Sequence, residues 1–257
     1  MKIALFSDIH ANLPALEAVL VDMERRKPDA IYCLGDLVGY NVWPNEVVQE
    51  IQRRGIPCIS GNYDQGVGRN SPECGCAYNT AEQVQSGAAS IAYTNDVIGD
   101  AERAYLRMLP FHLQIQFQVE SAPQNLLLVH GSPRQINEYL FEHRTDRSLL
   151  KIMEGPRADI MCFGHTHIPY HRVLKDLDEK GAFYRHAINI GSVGKPKDGD
   201  PRACYVMLDL QTNMRRGNSD GIQVEFVRVE YDVERAAKGV EDSPLPNALA
   251  EALRLGR

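Results

Sequence analysis

The sequence is short of long hydrophobic runs, of positive charge and of paired cysteines, and each shortage excludes something. No apolar stretch approaches the roughly 20 residues of a membrane helix. After Met1-Lys2 the first apolar run, Ile3-Ala4-Leu5-Phe6, gives way at once to Ser7-Asp8, too short for a signal-peptide core. The 28 Lys and Arg are outnumbered by 34 Asp and Glu, and a net charge of -6 argues against a basic face for nucleic-acid duplexes. A small anionic substrate stays open, because bound cations reverse a local field. Of the six cysteines, Cys33, Cys58, Cys162 and Cys204 lie in apolar runs and read as small buried hydrophobes. Cys74-Gly75-Cys76 lies in a polar, glycine-rich stretch. No second pair completes a tetrahedral zinc site, so a loop with two free thiols is expected there, with a redox pair or half a zinc site as alternatives. The expectation is a soluble cytoplasmic protein with no membrane partner, and nothing specifies its oligomeric state. With 44% hydrophobic residues in 257, it can bury a sizeable core.

What is there begins with a buried strand, Ile3 to Phe6, that runs into Asp8-Ile9-His10. Leu13 to Arg26 has helical apolar spacing, with Asn12 as N-cap and Pro14 in the first turn. Ala30 to Leu34 is a strand ending in Gly35-Asp36, Pro44 to Arg53 a helix, and Ile56 to Ser60 a third strand ending in Gly61-Asn62-Tyr63-Asp64. That alternation predicts parallel βαβ units. Residues 65–110 read as an insertion beside the site: a loop to about Ala77, then a helix from about Thr80 to Leu109. Further strands are expected at Leu113 to Val119, Asn125 to Val129, Asp159 to Phe163, Tyr184 to Ile190, Ala203 to Leu210 and Ile222 to Val229. Helices are expected at Asp146 to Glu154 and near Leu245 to Leu253. One domain over 1–257, with two packed sheets and helices outside, accounts for the pattern.

The runs deliver a consistent set of side chains to their ends: Asp8, His10, Asp36, Asn62, His130, His165 and His167. Asp8 and His10, two apart in nearly extended chain, are expected to face one way. A carboxylate such as Asp36 has two oxygens and bridges two cations; Asn62 offers an uncharged amide oxygen. His165 and His167 project together, one to each of two ions. A mixed Asp, Asn and His shell without thiolate suits Mn first, with Fe, Zn, Ni or Co as alternatives. His112, His143, His171 and His186 fall outside any motif and read as structural or surface residues. Arg134, Lys195 and Arg202 are cations that would steady a phosphate or serve as ordinary loop charges. Asn12 is a second candidate for substrate contact beside its capping role.

In this order, Asp8-x-His10, Gly35-Asp36, Gly61-Asn62-x-Asp64, Val129-His130-Gly131 and Gly164-His165-x-His167 resemble the calcineurin-like metallophosphoesterase superfamily. The stretches Asp8 to Leu13, His130 to Arg134 and Asn189 to Gly194 resemble its bacterial and archaeal phosphodiesterase branch. The resemblance implies an α/β fold, a four-layer α-β-β-α sandwich of two mixed sheets. It implies two divalent metal ions, one held by Asp8, His10, Asp36 and His167, the other by Asp36, Asn62, His130 and His165. It implies hydrolysis of phosphoester bonds, and the expected substrates are phosphodiesters or phosphoanhydrides of small molecules or nucleotides, such as dinucleoside polyphosphates. The expected chemistry is in-line attack by a metal-bridging hydroxide, with Asp36, Asn62, His130 and Tyr63 in catalytic roles. Tyr63 departs from the family, where many relatives carry a histidine proposed to protonate the leaving group. A tyrosine, with an ordinary pKa near 10, is a weaker acid, so leaving groups already stable as anions are favoured and Asp64 is left to orient Tyr63 or nearby backbone. A phosphomonoesterase or phosphoprotein phosphatase is the alternative enzyme, and a non-catalytic protein-binding scaffold the alternative of another class.

Overall fold

The computed structural model describes residues 1–78, 80–118, 123–179, 181–211 and 217–257. Its elements run β1 (Lys2–Phe6), α1 (Leu13–Arg26), β2 (Ala30–Cys33), α2 (Pro44–Arg53), α3 (Asn62–Gly68), α4 (Ala81–Val97) and α5 (Asp100–Met108). Then come β3 (His112–Gln118), β4 (Pro123–Val129), α6 (Asp146–Glu154), β5 (Ile160–Phe163), β6 (Tyr170–Asp178) and β7 (Gly181–Asn189). β8 (Ala203–Leu210), β9 (Ile222–Val229), α7 (Val233–Glu241) and α8 (Asn247–Leu255) complete the order.

The strands form two mixed sheets, in the orders β2-β1-β8-β9 and β3-β4-β5-β7-β6. β1 runs parallel to β2 and antiparallel to β8, and β5 runs parallel to both β4 and β7. Strand periodicity sets the layers. Ile3 and Leu5 point into the space between the sheets, with Leu126, Leu128, Ile160 and Leu208. Ala4 and Phe6 face the other way, onto Leu16, Val19 and Met23 of α1. Beyond the second sheet, Leu127, Met161 and Phe163 meet Leu149, Ile152 and Met153 of α6. The result is helices, sheet, sheet, helix, and each large apolar side chain so buried contributes about 1.5–3 kcal/mol. No helix among the described residues is long and apolar enough to cross a membrane.

Local chemistry explains where elements start and stop. Asn12 caps α1, its Oδ1 accepting from the Ala15 N–H at 3.2 Å, and Lys27 ends the helix in left-handed backbone at φ 51°. The strand expected at Ile56 to Ser60 is reduced to a single bridge between Cys33 and Cys58. Pro57 has no N–H to donate, and the Ser60 N–H turns away to the Pro110 carbonyl at 2.7 Å. Asn62 therefore opens a helix, and Gln65 to Gly68 are its end, not a loop. The expected helix at Thr80 to Leu109 is two helices, broken at Ile98-Gly99. Asn45 holds the break, accepting from the Gly99 N–H at 2.8 Å and donating to the Val97 carbonyl at 2.9 Å. β6 and α7 were not expected, and α7 packs with α8 around Trp43. Val119, the last residue of one expected strand, lies outside the described residues.

Candidate metal centre

The residues that follow β1, β2, β4 and β5 converge. Ligand atoms of Asp8, His10 and His167 lie within 4.8 Å of one another, as do those of Asp36, His130 and His165. Asp36 faces both groups, its Oδ2 3.7 Å from His10 Nε2 and 3.3 Å from His130 Nε2. Asp8 Oδ1 lies 3.2 Å from His167 Nε2. Asn62 joins the second group, with Oδ1 3.1 Å from His130 Nε2. All seven expected side chains are buried here.

Asp8 and His10 do not reach the centre from extended chain. Both lie in left-handed backbone, at φ 53° and 50°, as do Asp36 at 53°, His165 at 65° and His167 at 61°. Each such residue costs on the order of 1–3 kcal/mol. The hydrogen bonds that the turns make offset this cost. The Asp8 N–H donates to Gly35 O at 2.9 Å, and the N–H groups of Ile9 and His10 donate to Asp36 O at 2.9 and 3.0 Å. Asp64 clamps the adjoining loops, accepting from the N–H groups of Asp36 at 2.8 Å, Leu37 at 2.8 Å and Gly61 at 2.9 Å. Of its two expected duties it performs the backbone one. Burial and the Asp36 carboxylate push it up to about 7, against the Gly61 and Leu37 N–H donors.

The donor set is tested by its own hydrogen bonds. His10 Nδ1 lies 3.0 Å from Val38 O, His130 Nδ1 2.8 Å from Leu34 O, and His167 Nδ1 2.6 Å from Lys195 O. A carbonyl accepts only, so each Nδ1 carries the proton, and in the neutral rings of His10 and His167 Nε2 turns a lone pair inward. His10 Nε2 and His167 Nε2 are then two lone pairs 3.1 Å apart. Asp8 Oδ1 and His165 Nε2 are buried in the same space without a hydrogen-bond partner. Burial pushes His165 down to about 4 and His167 down to about 3, keeping both imidazoles neutral. Burial opposes charge on His130 too, but Asp36 outweighs it and lifts His130 to about 10, favouring the charged ring. Burial likewise opposes ionisation of Asp8 and Asp36, yet His167 and His130 hold them below the usual carboxylate range. Converging lone pairs and carboxylates, with two buried polar atoms left unpartnered, fit divalent cations.

The centre opens into a cavity of about 590 Å³ walled by Tyr40, Tyr63, Tyr78, Tyr139, Lys195 and Lys197 among others. Tyr63 has its hydroxyl 3.0 Å from that of Tyr78, and burial raises its pKa well above the ordinary 10. The other expected contacts divide. Asn12 is fully used, its Nδ2 donating to Gly194 O at 2.9 Å and Tyr231 Oη at 3.2 Å. Arg134 pairs with Glu138 rather than lining the cavity, and Arg202 pairs with Asp200 at 2.6 Å. Lys195 does line it, its Nζ donating to Arg257 O at 3.2 Å. His171 and His186 bond each other at 2.9 Å, outside both groups. Sequence reasoning missed Tyr40, Tyr78, Tyr139 and Lys197, whose only shared signal is being brought together by the fold.

Residues 1–213 match the calcineurin-like phosphoesterase superfamily domain. The chain belongs to that superfamily. It is a metallophosphoesterase, a hydrolase of phosphoester bonds, and the paired Asp and His groups agree with a metal-dependent family. An uncharacterised protein of Methanocaldococcus jannaschii is 36% identical, over 99% of this chain and 98% of that one. The Escherichia coli K12 phosphodiesterase YfcE is 27% identical, over 81% of this chain and 88% of its own. Among solved structures, a metallophosphoesterase from Sphaerobacter thermophilus superposes with a TM-score of 0.72 at 29% identity, covering 100% of this chain and 99% of that one.

Proposed function

We propose that this metallophosphoesterase is a two-metal phosphodiesterase, hydrolysing phosphodiester or phosphoanhydride bonds of small molecules or nucleotides. The observation that carries the reading is Asp36 lying between two buried ligand groups, 3.7 Å from His10 in one and 3.3 Å from His130 in the other. Asp8, His10, Asp36 and His167 would hold one ion, and Asp36, Asn62, His130 and His165 the other. Manganese is the first candidate, from a shell of Asp, Asn and His without thiolate. When bound, such ions acidify water and neutralise charge on a phosphoryl group.

The chain's own residues do the rest. The fixed Nδ1 bonds orient three imidazoles, so no reorganisation is needed as charge develops. Lys197, solvent-exposed at the cavity wall, draws an anion toward the centre. Tyr63 keeps its proton, which leaves no strong acid at that position and favours aryl-oxide or phosphate leaving groups. We read the whole chain as one such domain, with 65–110 as an insertion walling the cavity.

The test is turnover of p-nitrophenyl phosphate and its bis ester at equal manganese, alongside diadenosine polyphosphates and cyclic nucleotides. Preference for the diester or an anhydride is expected. Faster monoester cleavage makes it a phosphatase instead. Asp36→Asn should abolish turnover while keeping the circular dichroism of the parent; unchanged turnover would remove the metal centre from the chemistry.

A further inference from the structure

Cys74-Gly75-Cys76 holds no cation under the reading above, yet it touches the centre. The two Sγ atoms lie 3.2 Å apart, on a turn made by Gly75 in left-handed backbone at φ 71°. Asn137 pins that turn from outside, its Nδ2 donating to Gly75 O at 2.8 Å. From inside, Asn62 Nδ2 donates to Cys74 O at 3.0 Å and to Cys76 Sγ at 3.2 Å. These two bonds decide which end of the amide faces inward, and they aim Oδ1 at His130 Nε2, 3.1 Å away. Cys76 lines the open cavity, so a small solute reaches the pair, while Cys33, Cys58, Cys162 and Cys204 are buried.

We propose that Cys74 and Cys76 form a reversible modification site: hydrogen peroxide oxidises them to an intramolecular disulfide, and the closure withdraws Asn62 from the second cation position. One sulfur attacks peroxide, the O–O bond breaks, and a sulfenic acid and water result. The second thiol attacks that sulfur, forming the S–S bond and releasing a second water. Two thiols and one peroxide thus give one disulfide and two waters. A disulfide is about 2.0 Å long, so sulfurs now 3.2 Å apart must close by about 1 Å. Cys76 Sγ moves with that closure, and Asn62 either loses its acceptor or turns its Oδ1 off His130. A ring closed across a single intervening residue is strained and therefore readily reduced, which makes the step reversible.

The metal half of the proposal rests on the two-metal reading; the disulfide half does not. The experiment treats the reduced full-length chain with hydrogen peroxide, counts thiols after denaturation, and titrates manganese by electron paramagnetic resonance. The expected count falls from six to four, with a mass lower by two hydrogens and full recovery in dithiothreitol. Affinity at the second manganese position should fall about 10-fold or more, whereas in Cys74→Ser manganese binding is indifferent to peroxide. Any other thiol count, or a disulfide that leaves manganese binding unchanged, overturns the proposal. A reduced protein that binds no manganese overturns the two-metal reading instead, and the thiol count still decides the modification.

Discussion

A methyl group on Gly61 would stand 2.1 Å from Oδ1 of Asp36 and 2.3 Å from the Asp36 nitrogen. Neither can yield: Asp36 is buried, with Oδ2 turned to both histidine groups and Oδ1 accepting from the Tyr63 N–H at 2.8 Å. Gly61→Ala can therefore be accommodated only by displacing Asp36 as a whole, backbone and carboxylate together. Displacements of this size cost about 100-fold in rate. The expected outcome is that loss in kcat on the bis ester, with substoichiometric manganese and a parental circular dichroism spectrum. Wild-type kinetics would show that Asp36 tolerates the shift.

Asp64 accepts three buried N–H groups from two loops. Asp64→Ala leaves all three unpaired, at about 1–3 kcal/mol each. Urea unfolding should show a loss of roughly 3 kcal/mol or more. Asp64→Asn, which keeps one acceptor oxygen, should recover part of it.

Tyr63 carries a hydroxyl that burial keeps protonated and that is spent on Tyr78. Tyr63→Phe should leave hydrolysis of bis(p-nitrophenyl) phosphate within about 3-fold of wild type, because that leaving group needs no proton. Tyr63→His should speed alkyl esters selectively, by up to about 100-fold, the lower range of general-acid catalysis. A plot of rate against leaving-group pKa, shallower for the histidine variant, checks both.

His186 is 3% exposed, and burial together with His171 pushes it down to about 4. Its unfolded value is near 6.5. Folding thus favours the neutral ring, and the contribution is complete above about pH 6.5 and drains away as pH falls toward 4. The difference in unfolding free energy between wild type and His186→Gln should narrow by about 3 kcal/mol across that window. A constant difference would mean that the ring titrates alike in the folded and unfolded states.

The candidate ligands were legible because each follows a short apolar run and, for Asp36, Asn62 and His165, a glycine. That pattern survives even where the local geometry does not. Nothing in Asp8-Ile9-His10 announces left-handed backbone, since the turn is imposed by Gly35 and Asp36 from the next strand. β6 was illegible for a different reason. Its apolar residues fall at Tyr170, Val173, Leu174 and Leu177, a helical spacing, while its strand form comes from pairing with β7 at the sheet edge. α7 was readable: Asp232 caps it, accepting from the Arg235 N–H at 2.9 Å, ahead of apolar Val233, Ala236, Ala237 and Val240. The cavity walls were beyond reach, because Tyr40, Tyr78 and Lys197 come from segments that only the fold brings together.

Five of the seven side chains at the centre spring from a main chain turned the way that β-branched amino acids refuse. Valine, isoleucine or threonine at positions 8, 10, 36, 165 or 167 would be rejected by the peptide itself before any question of charge arose. Aspartate, asparagine, histidine and glycine are the few that such a frame admits readily. The shape of the loops has thus narrowed the alphabet at these positions to the very letters that bind cations.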